Sequence, residues 1–168
     1  MGTVNNLLFK FYRSCIEAFG GSEYHVIMSV GQLTDPAQLG EIPSNFELYH
    51  SVDQIAVLQR TDVFISHCGM NSVNESLYYG VPLVMFPQTT EQGGVARRVA
   101  ELGAGIPLKK GNASALRAAV KVVLAEPKYQ EKAKEISESF KASGGPVKAA
   151  DAILRVASRG RRKKQQNS

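Results

Sequence analysis

The chain has 168 residues, 43% of them apolar and 21% charged, which suits one soluble domain with an ordinary core. Its formal charge is +5, but Arg159, Arg161, Arg162, Lys163 and Lys164 crowd the last ten residues. Setting those five aside leaves a near-neutral body, which argues against a nucleic-acid-binding surface. No apolar run approaches the ~18 residues of a membrane span, and Met1–Asn6 has neither the basic start nor the apolar middle of a secretory leader. Cys15 and Cys68 have no metal-ligand spacing, so the expected setting is a reducing cytoplasm.

In chain order, Leu8, Phe11, Tyr12, Cys15 and Phe19 form a helical stripe over Val4–Phe19, closed by Gly20-Gly21. Tyr24–Val30 reads as a strand ending at Gly31. Residues 32–45 read as loop, with Pro36 and Pro43. Phe46–Tyr49 is a short strand, and Val52–Gln59 a helix with Ile55 and Leu58 inward. Val63–Ile65 is an apolar run stopped by Ser66-His67-Cys68-Gly69. Asn71 and Ser72 are good N-caps for a helix over Ser72–Tyr79, which Gly80 ends. Between Pro82 and Pro87 lies a buried strand, Leu83–Phe86.

Glu91–Leu102 reads as a helix with Val95, Val99 and Leu102 inward, and Gly103-Ala104-Gly105 leads to the strand Ile106–Leu108. Asn112 caps a helix with apolar positions Leu116, Ala119, Val120, Val123 and Leu124, broken at Pro127. Helices over Tyr129–Lys141 and Val147–Ala157 complete the body. The domain thus covers 1–158, and 159–168 reads as a basic, solvated, disordered tail.

Alternating short apolar strands and helices predict an α/β domain, a Rossmann-like, doubly wound parallel sheet covered on both faces. Ligands of such sheets sit beyond the carboxyl ends of the strands. The loops at Gly31-Gln32, 67–72 and 88–92 each follow a strand and should share that edge. The first strand of such a domain is central, yet Gly2-Thr3-Val4 reads as the loop after a strand, so the chain reads as a piece whose first strand is missing.

A strand ending in a Gly-bearing turn that feeds a helix suits an anion, because the first helical N–H groups lack partners and carry the positive end of the helix dipole. Gly69 lets a phosphate approach the backbone, and His67, Asn71 and Ser72 add donors. Other readings stay open. Ser72-x-x-Glu75 is also a capping box, Glu91-Gln92 is also the acidic first turn of a helix, and His67 could simply bond the backbone at a strand end. Cys68 reads as packing.

His67-Cys68-Gly69-Met70-Asn71-Ser72, Glu75, Gly80-Val81-Pro82, Pro87 and Glu91-Gln92, in this order, resemble the donor-binding signature of nucleotide-sugar-dependent glycosyltransferases. The branch is the bacterial macrolide glycosyltransferase type, related to plant and animal UDP-glycosyltransferases. The resemblance runs from Gly2 to about Ala157 and covers only the C-terminal domain of these GT-B enzymes, whose active site lies between two Rossmann-like domains. It implies diphosphate contacts from Gly2, Thr3, His67, Gly69, Asn71 and Ser72. It implies nucleoside contacts from the positions of Ser51, Gln54 and Glu75, with Glu75 on the ribose hydroxyls, and sugar contacts from Glu91 and Gln92. Ser51 stands where the family has an aromatic stacked on the base, and Asp53 where it has Pro.

The resemblance further implies a UDP-sugar such as UDP-glucose as donor, inversion of configuration, no cofactor and no metal. The catalytic His base and the acceptor site belong to an N-terminal domain, supplied in cis or as a separate acceptor subunit in trans. This chain alone is expected to bind donor and transfer nothing. The alternatives are a donor subunit of a two-chain transferase and a non-catalytic nucleotide-sugar binding module.

Overall fold

The computed structural model describes residues 6–145 and 148–156. Along the chain run α1 (Asn6–Phe19), β1 (Val26–Ser29), a 3-10 turn (Pro36–Leu39), β2 (Phe46–Tyr49), α2 (Gln54–Leu58), β3 (Phe64–Ser66) and α3 (Met70–Tyr78). Then come β4 (Leu83–Met85), α4 (Thr90–Glu101), β5 (Gly105–Pro107), α5 (Ala113–Ala125) and α6 (Pro127–Ala142). Residues 148–156 are also helical (α7).

Every described strand pair is parallel. β1 lies beside β2, with Met28 opposite Leu48. β3, β4 and β5 form a second sheet in that order, with Val84 between Ile65 and Ile106. Successive side chains of a strand face opposite ways, and β4 uses both. Val84 enters a core with Phe11, Phe19, Met28, Leu116 and Val120, whereas Leu83 and Met85 join Val73, Leu77, Val99 and Ala133. Helices α1 and α5 therefore cover one face, and α3, α4 and α6 the other. The first core also takes in Val30 of the β1 end and, partly, Ile65 of β3, so it spans both sheets. This is the two-faced packing the α/β pattern calls for.

Local chemistry sets the element ends. Asn112 Oδ1 accepts from the Ala115 N–H (2.9 Å), capping α5 as its sequence position suggested. Pro127 sits in the first turn of α6, where its missing N–H costs nothing, so the residue that breaks α5 opens its successor. Arg117 of α5 donates to the carbonyls of Ala18 (3.0 Å) and Glu17 (2.9 Å), satisfying groups the end of α1 leaves open. Leu116, fully buried, anchors the same face.

Two inward assignments differ. Leu102 and Leu124 are exposed at 36% and 38%. Leu102 is the C-cap of α4, after which the chain leaves the helix through Gly103 at φ 76° and buries Ala104; Ala96 takes the inward place beside Val99. Leu124 lies past the edge of the stripe formed by Leu116, Ala119, Val120 and Val123. No described helix is long and apolar enough to cross a membrane.

Candidate functional site

Because the strands within each sheet are parallel, the loops after β1 and β2 emerge along one edge of the first sheet and those after β3 and β4 along one edge of the second. His50, just past β2, bonds through Nδ1 to the Gly31 carbonyl just past β1 (3.0 Å), tying two of these loops together.

At the end of β3 the chain turns sharply. Cys68 adopts φ 69°, the single positive-φ residue other than glycine among the described residues. Such a conformation strains a side-chain-bearing residue. Here it is held by full burial of Cys68 and by a bond from its N–H to Ser66 Oγ (3.1 Å). Burial also pushes the Cys68 thiol up to about 12, so the sulfur stays protonated and packs rather than reacts. The turn brings the imidazole of His67 over Gly69, where an added Cβ would stand 3.1 Å from His67 Nε2. The close approach at Gly69 is thus made by the protein's own imidazole.

The helix after this turn starts earlier than its sequence suggests. Its N-cap is Gly69, not Asn71 or Ser72, and among the described residues no side chain caps it. Ser72 falls in the first turn and Glu75 in the second, so the capping box between them does not form. By contrast Asp53, Thr89 and Asn112 cap α2, α4 and α5 through their side chains. Among the described residues nothing hydrogen-bonds to the opening N–H groups of α3.

Glu75 and Ser72 instead meet Gln54 at the start of α2. Gln54 Nε2 donates to Glu75 Oε2 (2.5 Å) and to Ser72 Oγ (3.3 Å). A carboxylate only accepts, so the amide nitrogen must face it. Asp53 finds its purpose here: its carboxylate accepts from the Ala56 N–H (3.1 Å), capping the five-residue helix that carries Gln54. An Asp ahead of an apolar run signals such a cap, and it is why α2 begins at Gln54 rather than at Val52.

Glu91 and Gln92 open α4 on the next loop, and no hydrogen bond joins them to the Gln54 group among the described residues. Thr89 Oγ1 accepts from the Gln92 N–H (3.3 Å), and Gln92 Oε1 accepts from the Gln88 N–H (2.7 Å). Thr89-x-x-Gln92 is a helix-start signature that sequence reading missed. Among the described residues the Gln92 amide nitrogen donates to no partner, and Glu91 is exposed. Ser51 and Asn71 are also exposed. Gly2, Thr3 and the tail over 159–168 lie outside the described residues.

Burial holds the His67 pKa below its ordinary value. The unfolded chain then takes up a proton at higher pH than the folded one. This group's contribution to stability is complete above about pH 6.5 and is lost as pH falls through the folded value. A docked diphosphate would favour the charged ring and raise that value. We expect the His67 ring resonances to titrate below the usual range in the free chain and to shift upward with UDP-glucose, whose phosphates do not titrate there. An unchanged midpoint under saturation would remove His67 from the anion contact.

The family model described as "Erythromycin biosynthesis protein CIII-like, C-terminal domain" matches residues 15–156. The NDP-glycosyltransferase YjiC of Bacillus subtilis (strain 168) is 43% identical over 155 residues, 91% of this chain and 40% of that protein. The calicheamicin glycosyltransferase CalG4 superposes with TM-score 0.85 at 33% identity, over 90% of this chain and 40% of that one. The glycotransferase of kitacinnamycin gives TM-score 0.83 at 35% identity, over 91% of this chain and 40% of that one. The chain thus spans about 40% of the length of these relatives. With the match covering most of its residues, the chain belongs to the erythromycin biosynthesis protein CIII-like, C-terminal domain family.

Proposed function

We propose that the chain is the donor-binding domain of an inverting, metal-independent glycosyltransferase, and that it holds a nucleoside diphosphate sugar, UDP-glucose or a close analogue. One observation carries this reading. The N-terminus of the nine-residue α3 has no side-chain cap among the described residues, lies at the carboxyl end of β3, and has His67 beside it. The glycosyltransferase names of its relatives support it.

In the proposed reaction the anomeric C–O bond to the diphosphate breaks and its electron pair stays on the departing phosphate oxygen. Fixed N–H donors of α3, with Ser72, Asn71 and His67, stabilise the charge that grows there. Glu75 takes the ribose hydroxyls, and Glu91 with the Gln92 amide takes the sugar. The acceptor and the base that deprotonates it come from an N-terminal domain in cis or an acceptor subunit in trans. The buried, free thiols Cys15 and Cys68 suit a cytoplasmic setting.

Thermal unfolding of the 168-residue chain with UDP-glucose, UDP, TDP, ADP and inorganic phosphate tests the reading. A rise in Tm with the uridine nucleotides that phosphate does not reproduce supports it. No rise with any nucleotide at millimolar concentration rejects it.

A further inference from the structure

The contact between Gln54 and Glu75 deepens that donor-site reading and rests on it. The resemblance casts Gln54 as a nucleoside ligand. Its own bonding gives it a different task. Both amide hydrogens are spent inside the protein, one on Glu75 Oε2 at 2.5 Å and one on Ser72 Oγ at 3.3 Å. A glutamine has no third side-chain donor, so only its amide oxygen is left to meet a nucleoside, and only as an acceptor. We propose that Gln54 is a positioning residue: it fixes the Glu75 carboxylate and the Ser72 hydroxyl in register, so that the ribose end and the phosphate end of one nucleotide are bound as a unit.

Three observations carry this. First, Glu75 is half-buried on α3, and its carboxylate is pinned through one oxygen. That leaves Oε1 to accept from a ribose hydroxyl. A free glutamate side chain would lose its rotamer freedom on binding, whereas one already held does not. Second, Ser72 Oγ accepts from Gln54, so its hydroxyl hydrogen is free to donate away from α2, on the first turn of α3 where the anion would lie. Third, Gln54 stands at the first position of α2, directly after its capping residue Asp53. Five residues form a helix only with outside support, and Asp53 supplies it beside the amide that does the holding.

The test compares UDP-glucose with its 2′-deoxyuridine counterpart by calorimetry on the full 168-residue chain, wild type against Gln54→Ala, Glu75→Ala and the double variant. Gln54→Met is run beside them, since it keeps the length and the apolar stem without a donor, and thermal unfolding confirms that each variant folds. The wild type should prefer the ribonucleotide. Gln54→Ala and Gln54→Met should cut that preference by roughly tenfold, the scale of one charge-assisted hydrogen bond. The affinity for the deoxy ligand should change much less. In the Glu75→Ala background, adding Gln54→Ala should leave the preference where it is, because the two residues act as one unit. The inference is overturned if the Gln54 variants weaken both ligands equally and leave the ratio intact, or if the losses add in the double variant. A wild-type chain that binds neither nucleotide fails at an earlier point and removes the donor-site reading itself.

Discussion

Met70→Pro is expected to weaken binding of UDP-glucose by roughly ten- to a hundredfold, the worth of one hydrogen bond to a charged phosphate, with no fall in thermal stability. Met70 is the first residue of α3, where an N–H has no helical partner and proline is well tolerated. Proline also restricts the residue before it to extended backbone, and Gly69 already has φ −59° and ψ 132°. The Met70 side chain is 51% exposed, so little packing is lost. The substitution removes one backbone donor from the proposed diphosphate site and leaves the helix in place. Calorimetry and thermal unfolding together check it. Unchanged affinity would show that this amide faces no ligand, while a large fall in Tm would show that the turn at Cys68-Gly69 depends on the Met70 side chain.

The second large effect falls on the sheet. Gly105→Ala is expected to destabilise the chain by about 3 kcal/mol, at the upper end of overpacking costs. Gly105 lies opposite Leu83 in the β4–β5 pair. A Cβ there would come within 2.3 Å of the Leu83 carbonyl oxygen, which is backbone and cannot swing aside. Because β4 is buried along its whole length and leads into the loop before α4, its displacement would move Glu91 and Gln92 as well. Urea unfolding measures the loss, and a change under 1 kcal/mol would mean that β4 and β5 slide apart at little cost.

Much of this architecture is legible from residue pattern. The stripe Leu116, Ala119, Val120 and Val123 announces the buried face of α5, and the prolines at 82 and 87 bracket β4. The edge that gathers the functional loops follows from alternation alone. What escapes the sequence depends on backbone shape or on distant partners. Gly69 reads as room for a phosphate beside the backbone, and Asn71 and Ser72 look like caps. Yet Cys68 takes the turn, held by Ser66, and so α3 starts two residues sooner. That shift dissolves the capping box and turns Glu75 toward Gln54, a partner 21 positions away that only the placement of α2 against α3 reveals. Thr89 was readable, since Thr89-x-x-Gln92 carries the signature of a helix start.

The central claim is that a diphosphate rests on the N-terminus of α3. Titrating the isotopically labelled chain with UDP-glucose and following backbone amides tests it most directly. The largest shifts are expected at the amides of Met70, Asn71 and Ser72, with the His67 ring moving at the same ligand concentration. Saturable shifts confined to other helix ends or to residues 159–168, with the three α3 amides unmoved, would contradict it.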